Sequence, residues 1–182
     1  MNEIPSQPVY SKNVMEFITV AHDYCITMSK NQKLGAKQLT DYLRKVLPLL
    51  YVKADLLPEI EVQNPEANQR FVTEEEWETL FNQLRGIFGN QDEFWLADHS
   101  DNTTELIKGS LAEHFADIFQ DLQDFIILYQ KNSIDAKENA VFEVKQLFRN
   151  HWGVRLVNAL TMLHHFIADS EEADDYSIPG FI

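Results

Sequence analysis

The sequence predicts an all-α fold: a single-domain helical bundle of about five helices, built as two antiparallel hairpins with a further helix between them. Three observations carry this reading. Apolar residues recur at spacings of three and four through long windows. No run of alternating β-branched residues competes with them, and Gly and Pro number only six each. A chain of 182 residues, 45% of them hydrophobic and 12% aromatic, is also long enough to bury one sizeable core.

Residues 1–10 contain Pro5 and Pro8 and read as a flexible arm ahead of a helical domain over 11–168. A first helix begins at Ser11, with Val14, Phe17, Ile18, Ala21, Cys25 and Met28 on one stripe. A second follows from about Ala36 with Leu39, Leu43, Val46, Leu47 and Leu50 inward. Pro48 lacks the helical donor and predicts a kink or break there. Leu57-Pro58 closes that segment, and residues 59–70 form a polar connection. Thr73-Glu74-Glu75-Glu76 has the pattern of a capping box and opens a third helix, with Trp77, Leu80, Phe81, Leu84 and Phe88 inward and Gly89 as its stop.

Residues 89–109 read as a long loop, either a binding segment or a loop pinned over a helical face by Phe94, Trp95 and Leu96. Ser110-Leu111-Ala112-Glu113 suggests a second capping box, opening the most strongly apolar helix of the chain. After a tight turn at Lys131–Ser133, a last helix runs from Ile134 through Phe166, bent but not broken at Gly153. Residues 169–182 form an acidic tail.

The net charge of -14 is unevenly placed. Residues 1–60 carry 7 basic and 6 acidic side chains, whereas 61–182 carry 8 and 23. Such a surface repels phosphate backbones and anionic lipid, so no nucleic-acid or membrane partner is expected, while a protein partner or a cation fits. Cys25 is the one cysteine, which excludes an intrachain disulfide, and its apolar stripe marks it as a structural thiol. The first residues lack a basic stretch followed by an apolar one, and no apolar run is long enough to span a bilayer, so the expected compartment is the cytoplasm.

Four strings become informative together: Leu47-Pro48-Leu49-Leu50-Tyr51, Arg70-Phe71-Val72-Thr73-Glu74-Glu75-Glu76-Trp77, Ala116 through Leu122, and Trp152 through Leu160. In combination they resemble a bacterial family known as domain of unknown function 5063, over roughly residues 14–168. The resemblance implies a helical bacterial protein and carries no activity, substrate or cofactor with it.

One constellation is accessible to register arithmetic. If the last two helices are antiparallel about Asn132, then His114, Asp117, Phe148, His151 and Trp152 share one layer, with Glu113 and Arg155 in the next. Imidazoles and carboxylates at one level are the raw material of a catalytic site built from His114, Asp117, His151, Arg155 and Glu113. A divalent metal would sit on His114, Asp117 and His151. The alternative is an interhelix salt bridge from Arg155 to Glu113 or Asp117 that sets register.

The ridge Glu113, Asp117, Asp121 and Asp124 reads as a solvated face, since Glu75 and Glu78 are the only comparable acids to oppose it. His164-His165 diverge by about 100° on a helix and cannot chelate one ion. His22-Asp23 lacks a nucleophile, and Asp98-His99-Ser100-Asp101-Asn102 resembles a calcium loop in composition only. No phosphate-binding or dinucleotide motif is present, so no cofactor is expected. Two functional classes follow: a non-enzymatic interaction or accessory protein, and alternatively a metal-dependent hydrolase of a phosphorylated small molecule.

Overall fold

The structure is a computed structural model describing residues 7–98 and 105–175, apart from the side chains of Gln32, Asp98 and 167–175. Six α-helices and one small sheet follow in the order α1 (Lys12–Ser29), α2 (Ala36–Asp55), α3 (Glu74–Phe88), β1 (Glu93–Asp98), β2 (Glu105–Ser110), α4 (Leu111–Tyr129), α5 (Ile134–Asn150) and α6 (Trp152–Asp175). The expected helical bundle is therefore present. No helix among the described residues is long and apolar enough to cross a membrane.

The two hairpins are α1–α2 and α4–α5. Lys53 pairs with Glu16, the Tyr42 hydroxyl donates to Asp23, and Asn13 donates to the Leu56 carbonyl, which fixes α1 and α2 as antiparallel. Helix α4 is the hub, packed against α1, α3, α5 and α6. That position explains why most of its residues are buried, the polar Asp117, Asp121 and Asp124 among them. Phe17, Tyr24, Phe115 and Trp152 are fully buried at the centre. The polar tips of two of them are satisfied: Tyr24 donates to the Phe115 carbonyl at 3.0 Å and Trp152 to the Val144 carbonyl at 3.0 Å. Cys25 is buried beside them, and burial pushes its thiol pKa up, as a structural thiol requires.

Several expectations are corrected. Within the expected loop 89–109, residues 93–98 and 105–109 are strand: β1 and β2 pair antiparallel, with Phe94 opposite Gly109 and Leu96 opposite Ile107. Consecutive apolar residues at Phe94-Trp95-Leu96 hide the two-residue period that would announce a strand. Phe94 is buried while Trp95 points outward, 64% exposed. A Cβ on Gly109 would lie 2.7 Å from a Leu96 methyl and 2.8 Å from the Phe94 ring, so glycine lets both side chains close over it. The Asp98–Asn102 string lies largely outside the described residues, as do residues 176–182 of the expected tail.

Helix α2 runs through Pro48 without a break, anchored by the fully buried Leu47 and Leu50 on either side. The last helix is two, α5 and α6, divided at His151. Residues 8–10, expected in a loose arm, form a 3-10 turn whose buried Val9 offers its carbonyl to the Tyr129 hydroxyl at 2.7 Å. Only half of the second capping box exists. The Ser110 hydroxyl accepts from the Glu113 amide, but the returning carboxylate is that of Asp92, which accepts from Ser110 and from the Ala112 amide at 2.7 Å. The first box, Thr73 with Glu76, is complete.

The connection from α2 to α3 is a belt drawn across α5. Lys145 donates to the Leu57 carbonyl and to Glu59, and Asn139 donates to the Asn64 carbonyl. The belt ends on α4, where the first candidate site lies.

Candidate functional site

Asp117, Asp121 and Asp124 recur at helical spacing on one face of α4. The expectation of a solvated ridge fails because the belt, α3 and α6 all converge on that face. Asp124 accepts from the amides of Phe71 at 2.7 Å and Val72 at 2.8 Å, and from Arg70 at 3.1 Å. Asp121, whose side chain is 0% exposed, accepts from the same Arg70 nitrogen at 3.0 Å and bonds His151 Nδ1 at 2.6 Å. Asp117 accepts from Trp77 Nε1 at 2.9 Å and from Arg155 Nε. Buried carboxylates are tolerable only when charge and lone pairs are both answered, as they are here.

The structure places Arg155 on Asp117, one of the two interhelix bridges considered above. His151 meets Asp121 rather than Asp117. Glu113 is exposed at the start of α4. His114 joins none of these bonds: neither ring nitrogen has a hydrogen-bond partner among the described residues. The gap between Arg70, Asp121, Asp124 and α5 holds about 10 Å³, too little for a ligand. Among the described residues no group of three or more His, Cys, Asp or Glu stands where it could share an ion. What this layer does mechanically is lock the belt and α6 onto α4.

His114 sits under the hairpin, its ring 5.4 Å from that of Phe94 and edge-on to it. Burial and the Arg155 charge lower its pKa from 6.5 to about 4, against the opposing pull of Asp117 and Asp92. The ring is therefore neutral near pH 7. As pH falls below 6.5 the unfolded chain takes up a proton that the folded chain refuses until about pH 4. Stability then drops by roughly 2–3 kcal/mol across that window. Urea unfolding of wild type and His114→Leu from pH 4 to 8 should give a free-energy difference that is constant above pH 6.5 and shifts in favour of the variant below it. Parallel profiles would exclude His114 as the titrating group.

Open concave space lies on the other flank of α3. A cleft of about 420 Å³ separates α1, α3 and α4, floored by Met28, Leu80, Phe119 and Ile127 and walled by Phe71 and Val72. Its charged lining residues are Glu75 and Glu76; Thr79, Gln83 and Gln123 supply neutral polar groups. A neighbouring hollow of about 220 Å³ shares Ser29, Gln123 and Ile127 with it, making one trough along α1 and α4. The wall is held from behind, since Phe71 and Val72 are the residues whose amides Asp124 fixes. An apolar anchor with polar or cationic flanks matches this chemistry. Periodicity marks Phe81 and Phe119 as inward, but both are only half-buried. The gap between helices has no signature in any one of them.

The family model described as "Domain of unknown function (DUF5063)" matches residues 8–169. The chain belongs to the DUF5063 family. The match reaches Pro8 and so includes the docked 3-10 turn, which the resemblance over 14–168 leaves out. Among solved structures, the crystal structure of protein BF1032 from Bacteroides fragilis, a structural genomics target, is 30% identical to this DUF5063 chain. It superposes with a TM-score of 0.78 over 97% of this chain and 100% of that one. No curated protein matches.

Proposed function

We propose that this DUF5063 protein is a non-enzymatic interaction protein that receives an apolar anchor of a protein partner in the trough between α1, α3 and α4. The observation that supports this reading is the trough itself: an open, apolar-floored concavity whose wall is braced by a dedicated carboxylate. Preorganised walls lower the ordering cost of binding, and this is what Asp124 supplies. The net charge of -14, with Glu75 and Glu76 lining the α3 side of the trough against Lys30 at its other end, favours a partner segment that carries cations beside the part of its anchor that meets α3.

Gln123 lines both halves of the trough, so Gln123→Trp fills it from a half-buried position on α4. Affinity capture from native bacterial extract should recover a partner with wild type and with the distant Lys12→Ala. The same partner should be lost, by about tenfold or more, with a folded Gln123→Trp. A wild-type protein that emerges alone, or a partner that Gln123→Trp retains, would sink the reading.

A further inference from the structure

The trough follows the strip of the hub helix that the chain itself leaves uncovered. Within α4, only Glu113, Phe119, Gln120, Gln123 and Ile127 fall outside the buried set. At about 100° per residue the five share a sector of about 120°. Phe119, Gln123 and Ile127 of that sector line the trough. From Phe119 to Gln130, which lines the neighbouring hollow, the strip runs about 16 Å along the helix axis. Helices α1 and α3 both pack on α4, one on either side of the strip. A gap of that length between two helices seated on a third is a vacant helix position of about three turns.

We propose that the occupant of the trough is an amphipathic α-helix of a partner protein, with its apolar stripe on α4 and Lys or Arg along the edge that meets α3. This rests on the reading of the trough as the partner site and names what enters it. The walls decide between a helix and an extended segment, because an extended segment needs main-chain partners along its length. Helices α1, α3 and α4 spend their main-chain groups on their own hydrogen bonds. The irregular stretch of wall, Phe71 and Val72, has given both its amides to Asp124. A helix pairs its own N–H and C=O groups and presents side chains alone. A floor of Met28, Leu80, Phe119 and Ile127 receives such an apolar stripe, supplied by residues at i, i+3, i+4 and i+7. Charge then selects the source. Glu75 and Glu76 line the α3 side and attract cations there. A second copy of this chain, at -14, and the chain's own acidic segment 169–182 would both bring further acid to those two residues.

Two phage-displayed peptide libraries of equal length serve as probes against the full chain. One holds helix-forming sequences with a randomised face; the other carries a central proline, which breaks the helix. Binders should come from the first, with apolar residues at helical spacing and Lys or Arg along one edge. As synthetic peptides they should gain helical circular dichroism on binding. A folded Gln123→Trp should weaken them about tenfold or more, and Glu75→Lys about threefold or more. Binders drawn from the proline library alone, yet lost with Gln123→Trp, would overturn the helix and leave the trough as the partner site. Helical binders that Glu75→Lys leaves unchanged would overturn the cationic edge. No binder sensitive to Gln123→Trp from either library would remove the helix and the trough together.

Discussion

Asp124→Ala should destabilise the protein by on the order of 3 kcal/mol or more, lowering Tm by about 6–12 °C, which is more than the loss of one hydrogen bond explains. The carboxylate is 5% exposed and answers three donors: the amides of Phe71 and Val72 and the Arg70 guanidinium. Removing it leaves two backbone N–H groups without their acceptor where the belt meets α4, so the cost is that of stranding donors as well as losing bonds. Arg70 keeps Asp121, which limits the electrostatic part. Asp124→Asn separates the contributions. Its carbonyl oxygen still serves the amides, but the charge is gone and an amide NH2 faces Arg70, so about half the loss should remain. Urea unfolding measures both variants. Hydrogen exchange adds a local readout, because the Phe71 and Val72 amides should lose protection well before the core does. These residues wall the trough, so partner capture should weaken in Asp124→Ala even where the protein stays folded. Unchanged exchange at both amides would mean that Asp124 does not brace the wall.

How much of this is legible in the chain depends on the range of the interaction that decides each feature. The Thr73–Glu76 box is local, and it is present as its spacing predicts. The second box is half wrong because Ser110 and Glu113 have a competitor in Asp92, which lies far back in sequence and arrives only when the hairpin folds. The aspartate face of α4 shows the same principle at larger scale. Asp117, Asp121 and Asp124 have the spacing of a solvated stripe, and nothing near them in sequence says otherwise. Their partners Arg70, Trp77, His151 and Arg155 come from three other segments. Counting outward from Asn132 sets Asp117 level with residue 147 and His151 level with residue 113. Arg155 instead bonds Asp117 and His151 bonds Asp121, both about two turns off that register, because the count assumes a continuous last helix. The break at His151 moves every later residue off that register.

That break makes a sign prediction of Gly153→Ala. In an unbroken helix, the form periodicity suggests, an interior Gly→Ala change stabilises by about 0.5–1 kcal/mol, since it removes backbone freedom from the unfolded chain. In the structure a Cβ at Gly153 would lie 2.1 Å from the Phe148 carbonyl oxygen and 2.7 Å from a Phe148 ring carbon. The oxygen is backbone and cannot rotate away, so α5 and α6 must separate. The Phe148 ring is itself held between Trp152, at 4.9 Å, and Tyr51, at 5.0 Å. Overpacking at such a site costs about 1–3 kcal/mol and occasionally more, which outweighs the propensity gain. Thermal unfolding should therefore show Tm falling by several degrees, with the hydrogen bond from His151 to Asp121 weakened as the junction opens. A rise in Tm would mean that α5 and α6 run on as one helix. Gly153 is then an essential element of the junction: by lacking a side chain, it lets α6 start against the last turn of α5 and carries Arg155 to Asp117.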